Sequence, residues 1–213
     1  MSGALQAVMQ NLRSFVEPPP VIGQAFGGGY YAGKISTAGN GVADYYLVIG
    51  PIASAQNTSV QWKTSNTADA TTTSVITGPA NSASINNAAH PAAQFCEGLT
   101  IGGYSDWYMP AKNELEVCYY NLKPTTALNY ILSGTNTNAV PSRGSNYTTS
   151  DPAQTSSADF KDTGAEDFLT TGYLASTQFS NTHAWVQDFN TGQQYDNQKT
   201  TPGYVRAVRR VAI

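Results

Sequence analysis

The sequence predicts an α+β fold: antiparallel β-sheets joined by long polar loops, two helices in mid-chain, and a further short helix set apart at the N-terminus. Three observations lead there. Charged residues make up only 12% of the 213 residues, and the balance lies with Gly, Ser, Thr, Asn and Tyr, which suits strands and loops more than a helix bundle. Runs of aromatic and β-branched residues between Gly/Asn-rich turns recur towards both ends of the chain. Between them lie two stretches with apolar residues at helical spacing.

Residues 1–20, MSGALQAVMQNLRSFVEPPP, place Leu5, Val8, Met9, Leu12, Phe15 and Val16 on one helical stripe, which the three prolines end. A helix of about 14 residues is marginal alone in water, so this stripe needs cover. Its own body could supply that cover, but PPP is a stiff extended spacer and favours docking on another chain. The sequence therefore divides into an anchoring helix with its spacer (1–20) and a body (21–213).

In the body, GGGYYAGKIS (27–36) and DYYLVIGPI (44–52) read as a hairpin around TAGNGVA, and the polar stretch 54–80 reads as loop that Trp62 pins to the core. Ile85, Ala88, Ala89, Ala92, Cys96 and Leu99 follow helical spacing up to a stop at Gly98, with Pro91 either kinking the helix or lying in its first turn. The second helix runs from Ala111 to Leu122, with Leu115, Cys118, Tyr119 and Leu122 on its apolar face and Lys112, Glu114 and Glu116 directed elsewhere. Each cysteine sits on an apolar stripe with no flanking His or Lys, the setting of a buried free thiol. The long aperiodic segment 133–171 is the natural place for function. GYLASTQF, HAWVQDF, QQYDNQK and GYVRAVRRVAI then read as three or four antiparallel strands, with Gly192 of the NTG turn at positive φ.

Two segments carry a resemblance: GGYSDWYMPAKNEL (102–115) and VRAVR (205–209). With the order of parts around them, they make the chain resemble, over residues 22–211, the family named for the C-terminal domain of the Lcl adhesin. That family is a branch of the C-type-lectin-like fold, common in bacterial surface proteins and in phage tail and fibre proteins. The corner reads as a joint. Gly102 and Gly103 permit a tight turn, Asp106 accepts backbone hydrogen bonds, Trp107 supplies a buried ring, and Pro110 orients the start of the second helix. Asp106 and Glu114 are then a helix-start aspartate and a capping glutamate, not a catalytic pair. Arg206 and Arg209 of the terminal motif are assigned structural pairing with carboxylates or carbonyls. The chain departs from the family pattern at Ala111, where Ser or Thr would complete a capping box with Glu114, and at Leu174 and Gln178, where the family has Trp and Glu.

Composition excludes several functions. A net charge of −3 with no basic run argues against nucleic-acid binding. No apolar run approaches the ~20 residues needed to span a bilayer, and the start lacks a secretory signal, so synthesis in a host cytoplasm without membrane insertion is expected. Two cysteines and two histidines supply neither metal spacing nor a hydrolytic triad. The one dense acidic group, Asp159, Asp162, Glu166 and Asp167, lacks the signatures of calcium lectins, so it reads as a solvated loop; no metal or cofactor is expected.

The resemblance implies a non-enzymatic virion protein: a tail-fibre or tail-tip receptor-binding module, anchored to other virion proteins through its N-terminal helix and contacting a host surface glycan or protein. It also implies a homotrimer. The alternative is a structural protein of capsid decoration or tail assembly. Tyr147, Asn181, His183, Tyr195 and Asn197 are the candidate receptor contacts, since Tyr and Asn make adaptable contacts at small entropic cost. Deleting residues 1–20 is expected to leave a folded body that no longer incorporates into particles. Normal incorporation, read by quantifying the truncated protein in purified particles, would refute the anchor.

Overall fold

The computed structural model describes residues 20–213, so the N-terminal helix and its stripe over 5–16 lie outside the described residues. Along the chain run β1 (Ala25–Phe26), β2 (Gly29–Ile35), β3 (Tyr45–Ile49), helix α1 (Ile52–Ala55) and β4 (Gln56–Gln61). Helices α2 (Gly78–Ser84), α3 (Pro91–Glu97) and α4 (Lys112–Leu122) come next, then β5 (Ala139–Val140). The chain ends with β6 (Gly172–Gln178), β7 (His183–Asp188), β8 (Gln194–Gln198), β9 (Pro202–Arg206) and β10 (Val208–Ala212).

Two five-stranded sheets result. The first has the order β1-β2-β3-β10, with β5 beside β2. Its centre is the expected hairpin, paired from Tyr30↔Ile49 to Ile35↔Tyr45 with a register shift between Tyr31 and Gly33, and β10 closes on the far side of β3 with Val208↔Ile49. The second has the order β4-β9-β6-β7-β8. Its pairing is antiparallel except where β9 meets β6 in parallel at Tyr173↔Tyr204, a departure from the all-antiparallel expectation. The ladder of β9 is committed to β4, so it touches β6 at that one register pair.

Three further expectations are corrected. The stretch 54–80 is not all loop: β4 lies within it, held to the sheet by main-chain bonds to β9, and its polar, half-exposed side chains give no alternation to read. Trp62, directly after β4, does pin the chain to the core, fully buried with its Nε1–H donating to the Ala175 carbonyl at 2.9 Å. The helix expected over 85–99 is two helices, because Pro91 has no N–H to carry a helix through and instead starts α3 at its first position. Between them the Asn87 side chain takes the Ala89 N–H at 3.0 Å, a turn in place of the helical bond. Finally, Glu114 and Glu116 do not point away from the core; both are fully buried on α4.

Two apolar clusters fill the fold. Leu115, Cys118, Tyr119 and Leu122 of α4 pack with Ile35, Leu47, Ile49, Tyr173 and Phe189. Val48, Trp62, Ala92, Cys96, Trp107, Met109 and Val205 form the other. Both cysteines are free and buried, as their stripes predict. The segment 133–171 contributes to the first cluster instead of standing outside as a loop. Its Phe160 and Phe168 are fully buried, and Phe168 stacks on Phe189 at 3.8 Å. Within the acidic group Asp159 and Asp162 face solvent, whereas Glu166 is buried, with Arg206 Nη2 donating to its Oε2 at 2.6 Å. The solvated reading fails there because a fully buried arginine needs that carboxylate. No helix among the described residues is long and apolar enough to cross a membrane.

Arg206→Ala is expected to destabilise the protein by about 3–5 kcal/mol, since it strands a buried carboxylate, while Asp162→Asn should change stability by less than about 0.5 kcal/mol. Chemical denaturation of the two variants checks this.

Candidate functional site

The 102–110 corner is built as a joint. Gly102 and Gly103 take φ of +62° and +83°, and a Cβ on Gly102 would fall 2.8 Å from the Gly28 Cα, so the corner rests on the turn before β2. Trp107 is buried, its Nε1–H on the Tyr104 carbonyl at 3.1 Å. Among the described residues no backbone N–H donates to Asp106. Both its oxygens receive Arg209, from Nε at 2.7 Å and Nη2 at 2.9 Å, while Nη1 donates to the Gly27 carbonyl at 2.8 Å. A bidentate arginine outcompetes single backbone donors, and its position 103 residues along the chain hid it from local reading. The Pro110 carbonyl accepts the Ser176 N–H at 2.7 Å, tying the start of α4 to β6.

Glu114 keeps its half of the capping box, accepting the Ala111 N–H at 2.8 Å. Its other oxygen takes the Tyr108 hydroxyl at 2.6 Å and Arg210 Nε at 2.8 Å. Burial raises the Glu114 carboxyl above the usual carboxylate range, against the pull of Arg210. With these lone pairs engaged and no exposure, Glu114 has no route to a substrate. The terminal arginines are structural as the motif implies: Arg206 donates to the Gly50 carbonyl at 2.8 Å and the Glu166 carbonyl at 3.0 Å, besides its ion pair.

The five candidate contact residues do not form one surface. Tyr147 is 5% exposed and its hydroxyl donates to Glu116 at 2.6 Å, so it is a core residue; the buried Glu116 carboxylate draws it inward. Asn181 is exposed in the β6–β7 turn and His183 is half-buried at the start of β7. Tyr195 and Asn197 pair across from Val186 and Ala184, on the face of β8 that packs on the second cluster. Trp185 and His183 lie on the opposite face, across from Asp196 and Gln198. Strand alternation thus splits residues that look adjacent in the sequence.

The structure brings a different set together. A cleft of about 200 Å³ lies on the Trp185 face, lined by Lys112, Leu132, Ser133, Asn146, Trp185 and Gln194 among others. Lys112 Nζ stands 4.6 Å from the Trp185 ring centre, and Phe179 meets that ring edge-on at 4.9 Å. Ser133 Oγ accepts the Gln194 N–H at 2.9 Å, and the Ser133 carbonyl accepts the Tyr147 N–H at 2.8 Å. Gly134, at φ +112°, is pressed so closely on Tyr147 that a Cβ there would fall 2.3 Å from the ring. A second depression of about 240 Å³ shares Asn146 and is lined by Tyr120, Arg143 and Asp151. There Arg143 lies 4.0 Å over the Tyr120 ring and pairs with Glu116. No spacing rule joins Lys112, Asn146, Trp185 and Gln194, which come from a helix, a loop and two strands; the one legible signal was the length of segment 133–171.

Several groups that could do acid–base or nucleophilic chemistry are engaged or buried. His90 is buried at the start of α3, with Nδ1 2.9 Å from Asn87 Oδ1 and Nε2 3.1 Å from Asp69 Oδ1. Asp69 in turn holds Lys63 Nζ at 2.7 Å and Lys199 Nζ at 3.4 Å. Gln178 Oε1 accepts from Lys199 Nζ at 2.6 Å and from the Asp69 N–H at 2.7 Å, so an amide serves this cluster. Burial pushes the thiols of Cys96 and Cys118 well above their ordinary range.

Tyr147→Phe is expected to lower stability by about 1–3 kcal/mol through loss of the bond to Glu116, read as a shift of the denaturation midpoint.

No curated protein matches the chain. The family model for the Lcl C-terminal domain matches residues 52–209, a stretch that holds the glycine corner, the Glu114-capped helix, the cleft and both motif arginines. On that match the chain belongs to the Lcl C-terminal domain family.

Proposed function

We propose that the protein is a non-enzymatic receptor-binding module of a phage virion, part of a tail fibre or tail tip. Its C-type-lectin-like body is carried by the N-terminal segment on other virion proteins, and a trimer presents three such bodies to the host surface. The observation that carries the reading is the Trp185-face cleft, where Lys112, Asn146, Ser133 and Gln194 surround an indole at the surface of a rigid platform. Concave sites with an aromatic wall and a few convergent polar groups are the usual form of small-ligand sites. Family membership and the β3–β10 pairing, which puts the last strand into the sheet of the first three, support the lectin-like topology. The engaged histidine and buried thiols support a binding role over an enzymatic one.

A second reading, capsid decoration or tail assembly, is favoured by one feature. Leu128, Ile131 and Leu132 are 70%, 52% and 69% exposed within a single turn of chain, an apolar ridge suited to covering by another protein.

Imaging of the intact particle discriminates the two. The receptor reading requires segments 128–135 and 143–146 to face outward; their burial against a neighbouring virion protein would overturn it and favour the structural role.

A further inference from the structure

Asn40 and Gly41 stand in the turn that joins β2 to β3, and no other asparagine in the chain is followed by glycine. The main-chain nitrogen of the next residue can attack an asparagine side chain and close a five-membered ring. Such a closure is favoured by room at the next residue, by an N–H free of other bonds, and by a polarised side-chain carbonyl. This turn has all three. Gly41 lies at φ +80° with no Cβ, and the space a Cβ would fill holds nothing within 4 Å. Among the described residues its N–H has no hydrogen-bond acceptor, so no bond of the turn must break for it to react.

The Asn40 side chain is folded back over Gly41, because its Oδ1 accepts the Val42 N–H at 3.0 Å. The same oxygen accepts the Ser36 hydroxyl at 2.9 Å. Ser36 is itself buried and fixed, its N–H on the Asn138 carbonyl at 2.8 Å and its carbonyl on Asn138 Nδ2 at 2.8 Å, just before β5. Two positioned donors on one carbonyl oxygen are the arrangement that stabilises a developing oxyanion. Asn40 is exposed, so its amide nitrogen can leave into water. Other asparagines lack one condition or another. Asn57 and Asn87 fold back in the same way, onto the N–H of Ser59 at 3.1 Å and of Ala89 at 3.0 Å, but Thr58 and Ala88 follow them and their side chains crowd the closing ring. Asn81, Asn129, Asn136 and Asn138 have their amide nitrogens bound to main-chain carbonyls.

We propose that Asn40 is a self-modification site, at which the folded turn converts the asparagine to aspartate and isoaspartate. The Gly41 nitrogen gives up its proton and bonds to Asn40 Cγ, while Val42 N–H and the Ser36 hydroxyl hold the charge on Oδ1. The Cγ–Nδ2 bond then breaks, and the nitrogen departs as ammonia with a proton regained from water. Water, the only co-reactant, opens the resulting succinimide at either carbonyl. Both products add one negative charge to a chain of net charge −3, in a turn that already holds the Asp44 carboxylate on the Thr37 N–H at 3.1 Å. In the iso form the main chain passes through Cβ, which lengthens the β2–β3 turn by one methylene.

The test is timed incubation of the full-length protein at neutral pH, followed by trypsin digestion and fragment mass spectrometry. The peptide from Ile35 to Lys63 carries Asn40 and its control Asn57 together, and Asn87 serves as a second control. Asn40 should convert at least about ten-fold faster than either control, through a species lighter by one ammonia, and faster still as the pH is raised. Because the turn supplies the donors, conversion in the folded protein should be no slower than in the chain unfolded by urea. Gly41→Ala should slow it about ten-fold. Alanine is strained at that φ, so Asn40→Gln is the second variant; it leaves the main chain unaltered and should abolish the gain of negative charge seen by isoelectric focusing. An Asn40 that stays intact, that converts no faster than Asn87, or that converts more slowly in the folded protein than in urea would overturn the proposal. An undiminished gain of charge in Asn40→Gln would do so as well.

Discussion

The ion pair between Arg206 and Glu166 is the constraint around which the body is arranged. Arg206 is fully buried, and a guanidinium in that position is tolerated only when its donors are met. They are met from three directions: the carbonyl at the end of β3, the Glu166 carbonyl, and the Glu166 carboxylate. Glu166 also takes the Ile52 N–H at 2.8 Å and the Tyr30 hydroxyl at 3.2 Å. One pair thereby fastens β2, the start of α1, β9 and the 133–171 segment to each other. Phe168, 4.9 Å from the guanidinium, goes inward with Glu166 and stacks on Phe189. What composition suggests is a wandering polar loop is held by a charge that would be costly to leave alone.

The same economy runs through the fold. Each arginine among the described residues has its own carboxylate: Arg143 with Glu116, Arg206 with Glu166, Arg209 with Asp106, Arg210 with Glu114. Asp69 gathers two lysines and His90. The scarcity of charge in the sequence therefore does not mean a fold held only by apolar packing. Many of its ions work inside, as connectors between distant segments, and the surface is left to hydroxyls, amides and aromatic rings. Lys112 stands out against this pattern because its close contact is a ring, with no carboxylate paired to it among the described residues.

Rigid support for the cleft comes from these connectors. Glu116 receives Arg143, Tyr147 and Asn136 together, so the two walls of segment 133–147 are fixed to α4 from beneath. Ser133 bonds β8, and the Tyr130 N–H donates to Thr191 in the β7–β8 turn at 2.7 Å. Surface groups held this way lose little freedom when they meet a ligand, and affinity from a few contacts is not cancelled by ordering. A platform of neutral polar groups over a charged, buried scaffold is consistent with contact as its task.

The sequence by itself determined the local pieces. Alternation and turn chemistry placed the β2–β3 hairpin and the strands after Gly172; apolar spacing placed α4 and both buried thiols; the glycine corner announced a joint. These are short-range matters, set by φ preferences, side-chain period and the need to cover an apolar stripe. Only the tertiary structure decided which charges meet, and that decision reversed several local readings. Glu116 lies on the polar side of a helical wheel, yet Arg143, Tyr147 and Asn136 converge on it and make it core. Tyr147 went with it, and strand register turned Tyr195 and Asn197 away from the face that carries Trp185. The cleft draws its groups from four separated segments, because hydrogen bonds and ion pairs act through space and carry no period along the chain.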